Sequence, residues 1–179
     1  MAGENINLRL GCGANMMGYY MYVGGTNPVG KISTYQSSGP RVSYDYQAPI
    51  REFGTLGTVM QETKKYNYFM NDFGTTLAPA VAYLPTSNQD RENLQWAIRL
   101  NESTGYLFCS NYLYKHTRKD YKNVQFSVKL KDETIRIPRK KVTVKGGTYF
   151  LWSFNQQFSE VLLKYSTTQP VCSLKEGNT

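Results

Sequence analysis

The sequence predicts an α+β chain, with one amphipathic helix in its first half and a small antiparallel sandwich or barrel in its second. Three observations carry this. After residue 90, apolar residues alternate with polar ones in short runs separated by turn chemistry. Between Leu56 and Phe73 the apolar spacing is instead that of a helix. Hydrophobic residues make up 40% and charged residues 19% of 179, enough for a core and too little charge for disorder.

Taken in order, the run Gly18 to Val23 has the length and aromatic content of a buried strand, and Gly24, Gly25, Thr26 and Asn27 end it with loop residues. A glycine-rich excursion follows, and Tyr44, Asp45 and Tyr46 return to an ordered element that closes on Pro49. The helix places Leu56, Val59, Met60, Thr63, Tyr66, Met70 and Phe73 on one side, with Gln61, Glu62, Lys64 and Lys65 on the other. Gly74 is its expected C-terminal cap. Residues 75–90, with Pro79 and Pro85, read as a linker.

Beyond it, Leu94, Trp96, Ile98 and Leu100 alternate, Asn101 to Gly105 turn, and Tyr106 to Tyr112 return as a hairpin. Phe126, Val128 and Leu130 alternate before the turn Lys131-Asp132-Glu133, and Ile135 and Ile137 precede Pro138. Val142 and Val144 lead into Gly146-Gly147, a two-residue hairpin signal answered by Thr148 to Phe154. Val161 to Ser166 form a last strand. Seven or so short strands uninterrupted by a helix predict the sandwich or barrel.

GGTNP at Gly24 and SYDYQAPIREFG at Ser43 occur in order with a loop between them. Together they resemble the end of the catalytic barrel of glycoside hydrolase family 35, the β-galactosidases. The runs LQWAIRLNESTGYLFCSNY, IRIP and LKYSTTQPVC resemble the β-domain that follows that barrel, so the resemblance covers nearly the whole chain. A (β/α)8 barrel needs about 250 residues, more than the chain has. The resemblance therefore implies residues 1–74 as the last strand and helix of such a barrel, 75–90 as linker and 91–179 as the β-domain. It also implies a missing N-terminal barrel segment bearing both catalytic glutamates.

On that resemblance Tyr46 lines a galactose pocket and Tyr20 is a second pocket tyrosine at the strand end, with Asn27 and Asp45 beside them. The substrate implied is a galactoside or a galactose-containing oligosaccharide, hydrolysed with retention through a carboxyl pair, without metal or organic cofactor. Asp45 reads as a loop-capping carboxylate accepting backbone or tyrosine hydrogen bonds, not as a catalytic one. The loop from Pro28 to Arg41 departs from the family and is expected to affect which sugar is accepted. Secreted, periplasmic or lysosomal settings go with the family, and the compartment of this chain stays open. The alternative is a non-catalytic carbohydrate-binding or interaction β-domain. The two differ at the helix, whose apolar face has no partner under the first and folds back on the chain under the second.

The formal charge of +8 invites a nucleic-acid reading, but the basic segments Lys115 to Lys122 and Arg136 to Lys145 flank candidate strands and read as solvated or edge-protecting lysines. No nucleic-acid partner is expected. Cys12, Cys109 and Cys172 are widely spaced, and with His116 alone they make no zinc site. Cys109 lies in an apolar run and reads as a buried thiol. No apolar run approaches the roughly 18 residues of a membrane span, so no membrane partner is expected. Trp96, Trp152, Tyr106 and Tyr112 offer a carbohydrate platform on the β-domain, although their alternation favours core packing.

Overall fold

The structure, a computed structural model, describes residues 2–32 and 42–174. It is mixed α+β with antiparallel sheets and, among the described residues, two α-helices. The chain runs through α1 (Ala2–Gly11), β1 (Gly25–Thr26), β2 (Ser43–Tyr44), α2 (Thr58–Leu77), β3 (Val81–Tyr83), β4 (Gln95–Asn101), β5 (Thr104–Ser110), β6 (Tyr121–Lys129), β7 (Thr134–Val144), β8 (Tyr149–Phe158) and β9 (Val161–Tyr165). A five-stranded sheet in the order β3-β4-β5-β8-β9 is the centre, β6 and β7 form a separate two-stranded ribbon, and β1 pairs with β2.

The period of two in β5 and β8 builds three layers. Leu107, Cys109, Trp152 and Phe154 face the ribbon and join Phe126, Val128, Ile135, Ile137 and Val144 in one apolar cluster. Tyr106, Phe108 and Leu151 face the other way and join Ile6 and Leu10 of α1 with Tyr66, Phe69, Phe73 and Leu77 of α2. A strand buried on both faces reads as a continuous apolar run, as TGYLFCS in β5 does. The expected sandwich is present in coarse form, with a two-stranded ribbon as its second sheet.

The apolar stripe of α2 is therefore covered within the chain. Phe69 is 0% exposed and packs edge-on to Tyr106 at 5.4 Å between ring centres. Leu56, expected on that stripe, lies outside the helix and is exposed. The helix also passes the expected cap at Gly74 and ends at Leu77, because Leu77 is buried in the cluster and Pro79 cannot continue the helix. A Cβ added at Gly74 would meet nothing within 4 Å, so Gly74→Ala is expected to stabilise the fold by about 0.5–1 kcal/mol. Urea unfolding measures it, and a loss of stability would contradict an uncrowded interior position.

Residues 18–22 do not form the expected strand. The chain turns at Tyr20 and Met21, and contacts the next segment through a parallel bridge from Val23 to Ile50. Among the described residues the segment has no neighbouring strand along its length. Tyr19 and Tyr22 lean on α2 instead, their hydroxyls donating to Asn67 Oδ1 at 2.7 Å and Met60 Sδ at 3.2 Å.

Two further expectations change in the ribbon. Pro138 does not end a strand: β7 continues from Thr134 to Val144 with residues 138–141 bulged out opposite Gln125, whose Nε2 donates to the carbonyls of Pro138 and Arg139. Gly146-Gly147 does not close a hairpin, since β7 pairs with β6 whereas β8 pairs with β5 and β9. The turn is tied elsewhere: Gly147 N–H donates to Asn111 O, Asn111 N–H to Thr148 O and Gly146 N–H to Asp120 Oδ1. A Cβ at Gly146 would lie 1.9 Å from Arg118 O, and Gly147 has φ +83°, so both positions require glycine. The turns at 101–104 and 130–133 are hairpins as expected, and β8 and β9 form a further hairpin through 158–161.

Arg99 knits the layers together. It is 1% exposed and donates to the carbonyls of Leu10 (2.9 Å), Leu77 (2.9 Å) and Ala80 (2.7 Å), and to Asn15 Oδ1 (2.9 Å). Leu10 and Leu77 lie in the last turns of α1 and α2, where carbonyls lack intrahelical partners and carry the negative end of the dipole. Two helix ends thus stand in for the carboxylate a buried guanidinium usually meets. At the other end of α1, Gly3 N–H donates to Glu62 Oε2 of α2 at 2.8 Å.

Candidate functional site

The two motifs that carry the resemblance are brought together by β1 and β2. Gly25 pairs with Tyr44 and Thr26 with Ser43, and Asn27 N–H donates to Val42 O at 2.7 Å. Past β2 the backbone turns through left-handed conformations at Tyr46 (φ 43°) and Gln47 (φ 57°), and Ala48 N–H closes the turn on Asp45 O. Such positive φ at a bulky residue is costly and persists where the surroundings over-determine it.

Those surroundings are two carboxylates. Asp45 accepts from Arg51 Nη1 at 3.1 Å and from Glu52 N–H at 3.2 Å. Its partners here are an arginine and a backbone amide, so Asp45 holds the loop as a carboxylate strut. Gly24 lies against it so closely that a Cβ would come within 2.7 Å of Asp45 Oδ1 and 2.8 Å of Glu52 N. Glu52 accepts from Thr26 Oγ1 at 2.5 Å and from Ser43 Oγ, clamping β1 to β2. The first glycine of GGTN and the aspartate of SYDY are thus required by the same close approach. Gly24→Ala is expected to loosen the loop, seen as increased proteolysis between residues 42 and 56 with α2 unchanged.

The result is a row of three tyrosines. Tyr20 and Tyr44 are hydrogen-bonded through their hydroxyls with rings edge-on at 6.4 Å, and Tyr44 and Tyr46 meet edge-on at 4.8 Å. The hydrogen bond to Tyr44 raises the pKa of Tyr20 above the ordinary tyrosine value. Tyr20 and Tyr46 are exposed, Asn27, Tyr44 and Asp45 half-buried. Of the residues singled out from sequence, Tyr20, Tyr46, Asn27 and Asp45 all belong to this one loop cluster. Tyr44, the middle ring, and Glu52, the clamp, complete it. The signal for Tyr44 was its place beside Tyr46 in one motif. Glu52 stands near the loop in sequence as a second carboxylate without a catalytic role, but its part as a clamp is not legible there, because its partners lie 26 and nine residues away.

A rim of exposed apolar side chains surrounds this segment: Met16, Val23, Phe53 and Leu56 are all more than half exposed. Of the Pro28 to Arg41 loop expected to shape sugar choice, residues 33–41 lie outside the described residues.

The tryptophans do not offer an open platform. Trp152 is 8% exposed and packs with Phe126 and Phe150, Trp96 packs on Phe126, and Tyr106 is buried on the helix side. Cys109 is buried, which pushes its thiol pKa upward, whereas Cys12 and Cys172 are exposed. Among the described residues no three His, Cys, Asp or Glu side chains gather as metal ligands, and no helix is long and apolar enough to cross a membrane. No family model and no curated protein matches the chain.

Proposed function

We propose that this chain is the closing portion of a β-galactosidase-like retaining glycoside hydrolase, in which Tyr20, Tyr44 and Tyr46 form one wall of the galactoside pocket. The observation that carries the reading is the convergence of GGTN and SYDY on a single loop, with three tyrosine rings in a row, Tyr20 and Tyr46 exposed, and an apolar rim at Phe53 and Leu56. Retaining hydrolysis needs a nucleophile and an acid about 5–5.5 Å apart. Asp45 and Glu52 do not serve: the first is engaged by Arg51 and the second by Thr26 and Ser43. The reacting pair belongs to the remainder of a barrel that packs on the exposed rim. The tyrosines then orient the sugar by hydrogen bonds made in a water-poor pocket.

In a polypeptide that also carries the two glutamates, Tyr46→Phe is expected to lower kcat/KM by about 10–100-fold, from one buried hydrogen bond of about 1.5–3 kcal/mol. An unchanged kcat/KM for β-galactosides would remove Tyr46 from the pocket. A second reading, a non-catalytic carbohydrate-binding or interaction domain, is favoured by the burial of the α2 stripe against the chain's own sheet. If the chain alone binds galactose with the same affinity as the glutamate-bearing polypeptide, the second reading replaces the first.

A further inference from the structure

Away from the tyrosine row a cleft opens between the edge of β7 that no described strand pairs with and the face of β8 and β9, with a volume of about 750 Å³. That is within the range of small-ligand sites, roughly 300–1,000 Å³. Its floor is aromatic. Phe150 and Trp152 stack at 4.1 Å between ring centres and 20° between planes, and the half-buried ring of Tyr165 closes one side. Its rim is cationic, with Arg139, Lys140 and Lys145 among the lining residues and no acidic residue in the lining.

The cations are there because the fold bends to put them there. The bulge at residues 138–141 lifts Arg139 and Lys140 out of the ribbon, where both are exposed. It is held on one side by Gln125 and on the other by Tyr165, whose hydroxyl accepts from Arg139 N–H at 3.0 Å. Among the described residues neither Arg139, Lys140 nor Lys145 has an acidic side-chain partner. A solvated edge of lysines needs neither a bulge pinned from both sides nor an aromatic floor.

We propose that this cleft binds an acidic saccharide, the apolar face of a sugar ring resting on Phe150 and Tyr165 and its carboxylate or sulfate held by Arg139, Lys140 and Lys145. Aromatic faces suit the C–H surface of a pyranose, and charge-assisted hydrogen bonds fix the anion. A concave site with cations on one rim suits a compact anion better than the extended phosphate track and projecting rings of single-stranded nucleic acid. The inference goes beyond the hydrolase reading and does not rest on it, since the cleft shares no residue with the tyrosine row.

The test is titration of the full chain with tri-galacturonate and with neutral galactotriose, following tryptophan fluorescence, because Trp152 sits in the floor. Tri-galacturonate is expected to bind at least about tenfold more tightly, and Arg139→Ala with Lys140→Ala to remove about tenfold of that affinity with the circular dichroism spectrum unchanged. Phe150→Leu keeps apolar bulk but removes the ring face, and is expected to weaken binding. A sulfated galactose trisaccharide binding more tightly than tri-galacturonate would assign the anion as sulfate within the same site. Equal affinity for the neutral sugar, or no response to the paired cation variant, overturns the proposal. So does inorganic sulfate competing as strongly as the saccharide, or oligothymidylate binding more tightly through the same cations.

Discussion

Replacing Arg99 by methionine is expected to cost about 3–5 kcal/mol, read as a shift of the denaturation midpoint. The guanidinium satisfies carbonyls at the ends of α1 and α2 and at Ala80, and methionine can fill much of its volume but bond to none of them. The loss is thus several orphaned acceptors in a buried setting, each worth about 1–3 kcal/mol and partly recovered by relaxation or water. Against a total of about 5–15 kcal/mol, that is a large share. Arg99→Lys is expected to recover only part of it, because a single ammonium cannot reproduce a planar fork aimed at three chain segments. A methionine variant within about 1 kcal/mol of the parent would show that the helix ends do not depend on this residue.

Phe69→Ala should be comparably damaging, about 3–5 kcal/mol, because the ring is fully buried between Phe73, at 5.5 Å, and Tyr106, at 5.4 Å. The adjacent Tyr68 is 48% exposed, so Tyr68→Ala is expected to stay within about 0.5 kcal/mol. The contrast between neighbours tests which face of α2 meets the sheet. A dye that reports exposed apolar surface should brighten more with Phe69→Ala than with the parent or with Tyr68→Ala. Equal effects of the two substitutions would return α2 to the unpartnered helix expected of a barrel remnant.

Local pattern in the sequence carried the strands well. The alternation in β4 and β6, the last strand at β9 and the turns at 101–104 and 131–133 are properties of a few adjacent residues, and the fold keeps these elements. Where the outcome depends on a distant partner, pattern misled. Gly146-Gly147 has hairpin chemistry, but its glycines serve a close approach to Arg118 and bonds to Asn111, some 30 residues earlier. Gly18 to Val23 has strand composition without a strand beside it. Phe69 is absent from the expected stripe although local spacing places it there, three residues after Tyr66 and four before Phe73, and it is among the most buried residues of α2. At the candidate site the two motifs meet in one loop, whereas the row of rings and the clamp on Glu52 depend on contacts between residues distant in sequence. Arg99 reads as an exposed cation between Ile98 and Leu100, and nothing local announces that two helices end on it.

The placement of α1 also sets a timetable. Asn7 Nδ2 donates to the carbonyl of Cys109, 102 residues later, and Leu10 ends on Arg99. At about 5–20 residues per second on the ribosome, α1 waits on the order of 5–20 s for the sheet that covers it. During that interval Ile6, Leu10 and the α2 rings lack the sheet that covers them, and they are a natural target for a holdase that binds apolar segments. Supplying residues 2–11 as a separate peptide to a chain begun after Gly13 would show whether the late sheet accepts its first helix in trans.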